Sequence, residues 1–516
     1  MGGLSTAMLL GTHGVKPLVV ERHGNTAIHP RAAHFQVRTL EVFRAAGIEG
    51  VVRERSLEQY DSDGGISAVE SLAGKEIAKY IPSLNAGVEL ISPTRRLFLT
   101  QDALEPILAE RAAELGADLH YGTELADFEE QDDAVVATLR DVGSGRESRV
   151  HADYMVACDG WRSPVREKLG IEMLGHGLIS NSVTIYFRAD CSALEQGRTE
   201  AVLYVFNDTL SGFFRLDRGW GSGFLVVNTA GDTSKPEATN ISEWMTEDDA
   251  VELLRAAIGV PDMPVEIVHV ATWKAMADVA SGFQRGRVLI AGDAAHTMPP
   301  NGGFGGNTAV QDAFNLAWKL ALVVNGDAGS ALIDTYDAER RPIGGMMIEQ
   351  AYSRYVLRTA PYLGTDGLEA VIDDLTLEIG QRYRSPAVVV GPDADDGLPY
   401  VASGECRGMP GTRAPHVWLE REGQPVSTID LFGRGFVLLA GADGGAWRSA
   451  ASPELEAHQV GATLGDPEQA FEDAFGLSPR GAVIVRPDGH VAWRAVDDDG
   501  ASGAQVAGVM SALLAR

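Results

Sequence analysis

The sequence predicts an α/β chain in which helix-and-strand segments enclose a mostly antiparallel sheet. Three observations carry that expectation. Short continuous apolar runs at residues 16–21 (KPLVVE), 153–158 (DYMVAC) and 286–292 (GRVLIAG) adjoin glycines and helical stretches, the pattern of buried parallel strands. Between about 178 and 275 the texture changes: Val183, Ile185 and Phe187 alternate with polar residues, and aromatics and glycines crowd 201–206 and 213–228. The last hundred residues return to short strands and turns, as a separate α/β unit.

The size and composition fit this division. A chain of 516 residues exceeds one ordinary domain, so two or three are expected. Hydrophobic residues at 45% and charged residues at 22% suit a globular protein with a sizeable core. The net charge of -29 repels nucleic acid and anionic membranes alike, so neither is an expected partner. Cys158, Cys191 and Cys406 lie far apart, without CxxC or metal-ligand spacing, and read as reduced thiols, with no metal expected. Neither a run of transmembrane length nor a signal peptide is visible, so a cytoplasmic address is the expectation.

Each element has a local reason. Residues 2–14 have helical composition and stop at Gly14, a glycine cap. Residues 101–116 form an amphipathic helix with a glycine stop, and 118–157 are β-rich. The strand at 286–292 leads into helices that continue to about 360, the first spanning 308–322. Residues 386–413, rich in Pro, Gly and Asp, read as a linker. Beyond them, strands are expected at 417–419 and 435–440, with a hairpin of 482–485 and 491–494 joined through Arg486-Pro-Asp-Gly489.

Two segments carry chemistry. Gly2-Gly3, an Ala/Leu-rich helix, a strand and then Glu21 follow the order of a dinucleotide fingerprint, in which backbone N–H groups hold a pyrophosphate and an acid holds a ribose. The strand that normally precedes the glycines is not in the sequence, so this segment alone is balanced between cofactor binding and a solvated acid at a strand end. The decisive segment is 292–307 (GDAAHTMPPNGGFGGN). A strand delivers Asp293 at its carboxyl end, where open sheets bind ligands. Two prolines then stiffen the loop, and four glycines let backbone approach a flat ligand before the next helix begins with its positive end at that loop. An ordinary turn does not require this order.

On these residues the chain resembles the para-hydroxybenzoate hydroxylase and phenol hydroxylase family of FAD-dependent aromatic hydroxylases. It is most like the bacterial polyketide hydroxylases of anthracycline (aklavinone) type. Residues 292–307 match the family's second FAD motif. Cys158-Asp159-Gly160-Trp-Arg162-Ser163-Pro-Val-Arg166 matches the Asp-Gly motif assigned to FAD and nicotinamide, and the shortened glycine motif with Glu21 matches the first. Pro30-Arg31-Ala32, Gln101, the set Asp312, Asn315, Trp318 and Lys319, and residues 336–342 (YDAERRP) fit the segments between and after them.

The resemblance implies a Rossmann-like FAD-binding domain, a substrate-binding β-sheet domain and a C-terminal thioredoxin-like domain. Their expected extents are 1–80, 96–175 and 276–385 for FAD, 81–95 and 176–275 for substrate, 386–412 for a linker, and 413–516 for the last unit. That unit has no cysteine, which excludes a thiol–disulfide role and leaves a structural one. By the same resemblance Gly2 and Gly3 would make room for the pyrophosphate. Glu21, with Arg22 beside it, would meet the adenosine ribose, and Arg31 and Gln101 the phosphate and ribityl region. Asp159, Gly160, Gly292 and Asp293 would line the cofactor. The backbone of Gly302, Gly303, Gly305, Gly306 and Asn307 would face the flavin pyrimidine edge, and Pro299 or Pro300 its oxygen-reacting side.

The implied reaction is insertion of one atom of O2 into an aromatic substrate, phenolic or polycyclic, through a flavin C4a-hydroperoxide. NADPH or NADH would serve as a transient reductant. Baeyer–Villiger or epoxidising oxygen insertion, and a non-catalytic FAD-binding remnant, remain the alternatives. Tyr204, Phe206, Phe213, Trp220 and Phe224 either line an aromatic substrate pocket or are sheet core. His296 reads as a structural partner beside the cofactor, and Arg215 and Arg218 as surface charges. A monomer or homodimer is expected.

Overall fold

The computed structural model describes the chain except residues 30–33, 62–63, 234, 391–395 and 498–502, so Arg31, Pro30 and Ala32 lie outside the described residues. In chain order, helix α1 (Gly2–Thr12) and strand β1 (Leu18–Glu21) are followed by helix α2 (Val37–Ala45) and strands β2 (Ile66–Val69) and β3 (Glu76–Ile81). Helix α3 (Gln101–Glu114), strand β4 (Asp118–Tyr121), an antiparallel meander and strand β5 (Met155–Ala157) come next. Strands β6 (Met173–Arg188), β7 (Val202–Phe206), β8 (Leu210–Leu216) and β9 (Ser222–Ala230) lead to helix α4 (Glu247–Ile258) and strand β10 (Glu266–Ala280). Strands β11 (Gln284–Arg285), β12 (Val288–Ile290) and β13 (His296–Thr297) precede the long helices α5 (Phe304–Val324) and α6 (Ala331–Arg358).

The cofactor-type unit holds two parallel ladders, β1 with β4 and β5 with β12, the latter extended by antiparallel β11. Among the described residues no hydrogen-bonded pairing joins the two ladders. Strand β1 is parallel as expected but not buried, with Leu18 39% exposed, because β4 is its single paired neighbour.

The middle of the chain forms an eight-stranded sheet, β13-β10-β6-β9-β8-β7-β2-β3, antiparallel except for the β7–β2 pair. Strands β2 and β3 belong to it, although their residues were expected in the cofactor unit; they form a local hairpin, and the parallel β7–β2 pairing that attaches it to the sheet is long-range and leaves no local signal. One face of the sheet carries Val183, Ile185, Phe187, Leu203, Val205, Leu225 and Val227 against α4. Helix α4 is fixed by a Thr246–Asp249 capping box and a left-handed Gly259 stop, and it buries Leu253, Leu254, Ala257 and Ile258. Full burial of such side chains stabilises by about 1.5–3 kcal/mol each, so this face is a structural core. The opposite face is also enclosed, with Tyr186, Phe224 and Val226 buried among Phe213, Ala271 and Trp273.

The C-terminal unit is a four-stranded sheet of β14 (Phe436–Ala440), β15 (Leu455–Gln459), β16 (Ala482–Val485) and β17 (Val491–Ala495), in the order β15-β14-β16-β17. One face covers Phe471 and Phe475. The other contributes Leu438, Ile484 and Trp493 to a core that includes Trp318 of α5 and Leu332 of α6, so the unit shares a hydrophobic core with the cofactor domain. The segment expected as a linker is likewise no free tether. Ala387, Val388, Cys406 and Thr412 are buried, and Val389 N–H donates to the Ala492 carbonyl. All three cysteines are free, and no helix is long and apolar enough to cross a membrane among the described residues.

Candidate active site

Strand β12 is wholly buried and ends in a backbone device that only glycine fits. Gly292 has φ 61°, and a Cβ there would stand 3.2 Å from the Ala309 methyl. Its N–H donates to Asp312 Oδ2 at 3.1 Å. The same carboxylate meets His296 Nε2 at 2.6 Å and Arg340 Nε at 2.8 Å, with all three side chains fully buried. Burial alone would push the Asp312 carboxyl up, but His296 and Arg340 outweigh it and hold it at about 2. His296 is thus a structural partner of Asp312, as the sequence reading has it. The neighbouring Asp293, on the following 3-10 turn, is exposed and makes no hydrogen bond with the protein among the described residues.

After Pro299, which is buried, and the half-buried Pro300, Gly302 and Gly303 turn the chain with φ of 99° and 67°. A Cβ on Gly302 would strike the Phe304 ring at 2.5 Å, and one on Gly303 would press the His34 ring at 3.1 Å. Helix α5 then begins at Phe304 rather than Thr308, so Gly305, Gly306 and Asn307 form its first turn instead of a loop. Glycine disfavours a helix by about 1 kcal/mol per residue, and a tertiary staple overrides that preference. Asn307 Nδ2 donates to the His34 and Gly303 carbonyls, and its Oδ1 accepts from Gln36 N and from the Thr39 hydroxyl at 2.9 and 2.7 Å. The Asn307 side chain therefore shapes the loop, while Gly305 and Gly306 stay partly exposed.

Gly2 and Arg166 adjoin this segment through Ala309 and Ala294, whereas Glu21, Arg22 and Gln101 have no hydrogen bond to it among the described residues. Cβ atoms on Gly2 and Gly3 would stand 3.6 Å from Cys158, so α1 approaches the end of β5 closely. Neither α1 nor α5 has a side-chain hydrogen bond at its N-cap, and the two helices pack together. Glu21 is partly exposed and accepts only from His23 N, at 2.9 Å, among the described residues; Arg22 is exposed beside it. Gln101 donates to Glu105 at 2.7 Å. Asp159 accepts from Val165 N and Gly160 turns with φ 82°, while Arg166 donates to the Ala294 and Trp161 carbonyls. Arg166 so locks the Asp-Gly turn to the Asp293 turn.

Such a set fits FAD. Two adjacent helix N-termini free of side-chain caps offer N–H groups to a pyrophosphate and to a flavin carbonyl edge. The unengaged Asp293 and the partly engaged Glu21 offer acceptors for ribityl and ribose hydroxyls. Among the described residues, no group of three His, Cys, Asp or Glu is placed to hold a metal ion.

The loop grows out of the eight-stranded sheet itself, since β13, just before the prolines, pairs with β10 through Asp278↔Thr297. On the sheet face away from α4, Tyr204, Phe206 and Phe213 form one ring cluster, and Phe213 joins Tyr186, Phe224 and Trp273. Trp220 departs from this set. It sits at a turn with φ 56° and packs into the core under α4 with Cys191 and Phe187, because the turn reverses the side-chain direction.

Arg215 corrects the sequence reading more strongly. It is buried, donates to the Ala201 carbonyl at 3.1 Å, and lies over the Phe98 and Tyr60 rings at 4.3 and 5.1 Å, with no carboxylate partner among the described residues. Its two-residue spacing from Phe213 on an alternating strand was the available signal. Arg218 is exposed, as expected. The sequence reading also missed His34, whose ring lies 5.2 Å from Phe98 and whose Nε2 is buried without a partner among the described residues. Burial, reinforced by Arg215 and Arg96, lowers its pKa to about 3, so the ring is neutral. Arg358 lies over Tyr80 at 5.5 Å, and Tyr80 meets the Tyr204 ring edge-on at 5.9 Å.

Comparison with known proteins gives the family. The FAD binding domain family matches residues 1–351, and the aromatic-ring hydroxylase C-terminal family matches residues 407–516. A 4-methyl-5-nitrocatechol 5-monooxygenase of Burkholderia sp. is 52% identical over 509 residues, covering 96% of this chain and 93% of the relative. An aklavinone 12-hydroxylase of Streptomyces purpurascens is 38% identical over 533 residues, covering 100% and 97%. Among solved structures, a ternary complex of aklavinone-11 hydroxylase with FAD and aklavinone superposes with a TM-score of 0.93 at 36% identity, covering 100% of this chain and 97% of that one. A flavin-dependent monooxygenase in complex with FAD and substrate gives 0.86 at 30% identity, over 100% and 97%.

Proposed function

Because the chain belongs to the FAD-binding aromatic-ring hydroxylases and is an FAD-dependent aromatic monooxygenase, we propose that it couples NADPH or NADH oxidation to hydroxylation of a phenolic ring. One atom of O2 goes to the ring and the other leaves as water, with the two electrons drawn from the nicotinamide. FAD, when bound, supplies the hydride acceptor and the activation of oxygen. The protein's part is to bind, orient and exclude water. Glu21 and Asp293 accept from the ribose and ribityl hydroxyls, and Asp159 with Gly160 borders the cofactor. The N–H groups at the start of α5 favour negative charge at the pyrimidine edge.

Pro299 and Pro300, lacking N–H donors, wall the reacting side beside Gly302 without offering competing hydrogen bonds. The substrate ring lies against Tyr204, Phe206, Phe213 and Phe224, and the Arg215 guanidinium favours the phenolate form that makes the ring electron-rich. A single-ring phenol or catechol is the first substrate class, on the 52% identity to the nitrocatechol monooxygenase. A polycyclic polyketide is the second, on the fold match at TM-score 0.93 to the aklavinone complex. The domain division set out above, with β2 and β3 moved to the substrate unit, and a monomer or homodimer belong to the same reading.

The observation that supports this reading is the approach of the glycine loop to the buried Arg215, since a Cβ on Gly303 would press His34, whose ring meets the Phe98 ring that lies under Arg215. The test is direct. The purified protein is expected to be yellow and to oxidise NADPH faster with nitrocatechols or catechols than without. From a catechol, mass spectrometry should give a product heavier by one oxygen atom, with the ring intact by NMR; from a nitrocatechol oxidised at its nitro-bearing carbon, nitrite leaves and a quinone is the product. Ring expansion would replace hydroxylation by a Baeyer–Villiger reaction. Colourless protein, or peroxide as the sole product with every aromatic tested, overturns the reading.

A further inference from the structure

The hairpin Arg486-Pro-Asp-Gly-His490 is distant in sequence from the flavin-binding motif, yet its side chains reach that motif along two routes. The first route runs through α6. His490 stacks on the Tyr383 ring at 4.0 Å and 25°. The Tyr383 hydroxyl accepts from Arg340 at 3.1 Å, and Arg340 donates to Asp312, the acceptor of the Gly292 N–H. Arg340 also donates to the Thr308 carbonyl at 3.3 Å. The second route runs through α2. Arg38 donates to the Asp488 carbonyl and pairs with Glu41, and one helical turn holds Arg38 beside Gln36 and Thr39, which grip Asn307. The two routes therefore end at Gly292 and at Asn307, the first and last residues of the motif.

The hairpin is built so that it cannot shift. Arg486 is enclosed, donating to Glu339 at 2.6 and 2.9 Å and pairing with Asp488, and Glu339 also receives Lys319 at 2.7 Å. Asn315 Nδ2 donates to the same Glu339 at 2.6 Å. Gly489 turns with φ 72°, and a Cβ there would press the Arg38 guanidinium at 3.4 Å. Charges buried in this way hold one geometry, since displacement strands each of them without a partner.

We propose that this hairpin positions the flavin-binding motif, so that the C-terminal unit, which has no redox chemistry of its own, serves cofactor retention and coupling. His490 and, beyond it, Tyr383 are the positioning residues: His490 stacks on Tyr383, Tyr383 accepts from Arg340, and the pair acts on the cofactor through Asp312 and Gly292. The inference rests on the FAD reading above.

The experiment compares FAD dissociation, the visible flavin spectrum and the fraction of NADPH oxidation coupled to product in the full chain and three variants. His490→Ala is expected to raise the FAD dissociation constant about tenfold, within the usual range of coupling between sites, and to shift the flavin spectrum. His490→Phe, which keeps the stack, is expected to restore most of both. Tyr383→Phe keeps the ring but removes one of two acceptors of the Arg340 Nη1 group, Gln381 Oε1 at 3.1 Å being the other, with an expected rise of about threefold. If His490→Ala does not fold, Tyr383→Phe decides alone. A folded His490→Ala or Tyr383→Phe with lowered thermal stability but wild-type FAD affinity, spectrum and coupling overturns the proposal. Wild-type protein that holds no FAD overturns instead the reading on which it rests.

Discussion

Two buried polar regions of this molecule contrast in how their charges are engaged. At the junction of the cofactor and C-terminal units, Lys319, Glu339, Arg486, Asp488, Arg38, Glu41 and Arg413 are all enclosed and each has an opposite charge within reach. At the aromatic face beside the glycine loop some enclosed groups lack such partners: Arg215 donates to the Ala201 carbonyl but faces no carboxylate, and His34 Nε2 and Asn228 Oδ1 have no acceptor or donor among the described residues. Folding pairs these junction charges by itself. The loop side keeps hydrogen-bonding capacity that folding does not use, and a buried polar group left in that state costs about 1–3 kcal/mol until something binds it. Among these charged side chains, pairing marks the junction as architecture, and the carboxylate-free Arg215 marks a place for an anionic ligand group.

The contrast is open to direct attack, beginning at the junction. Glu339→Ala leaves Lys319 and Arg486 enclosed without their shared partner, and a loss of about 3–5 kcal/mol in unfolding free energy is expected by denaturant titration. A loss below 1 kcal/mol would erase the distinction between the regions. Acid provides the next largest effect. Burial pushes the Glu41 carboxyl up, but Arg413 and Arg38 outweigh it and hold it at about 2 against an ordinary 4.5. A depressed carboxyl contributes stability that is fully present above pH 4.5 and is lost as pH falls toward 2, on the order of 3 kcal/mol by linkage. Glu41→Gln is expected to flatten that part of the stability profile measured by thermal melts.

The opposite behaviour is expected on the loop side. Asp293→Ala should leave the apoprotein melt unchanged, because that carboxylate engages no protein group. It should weaken FAD binding by about 1–2 kcal/mol in a fluorescence titration, the size of one charge-assisted hydrogen bond. For Arg215→Met a stability loss within about 1 kcal/mol is expected, because no ion pair is broken. Its cost should appear as a KM for phenolic substrate raised about tenfold, equivalent to about 1.4 kcal/mol. A large stability loss with unchanged KM would move Arg215 to the architectural side.

How much of this was legible in the sequence follows from sequence separation. The motif at 292–307 is contiguous, so its glycines, Asp293 and Asn307 could be read directly, and Gly292 and Gly302 do occupy backbone that other residues resist. The start of α5 was misread because glycine signals a loop locally, whereas Asn307 secures the helix through Gln36 and Thr39, more than 260 residues earlier. Arg215 was read as a surface charge because an arginine on a strand usually is one. Its partners, Phe98 and Tyr60, come from other segments. The hairpin Arg486-Pro-Asp-Gly489 was legible as a turn, and its contacts with Glu339 and Arg38 were not, since nothing local distinguishes a solvated turn from an enclosed one.

The same separation has a consequence for the order of events on the ribosome. Asn315 and Asp488, which meet at the junction, are 173 residues apart. At a synthesis rate of roughly 5–20 residues per second, about 10–35 seconds pass between the emergence of the first and of the second. During that interval Lys319, Glu339 and Trp318 are exposed without the strands that will cover them. The nascent flavin domain therefore waits, incomplete, for the last sixth of the chain. A stalled or nicked translation product would release a domain that looks complete in sequence but still lacks its final wedge.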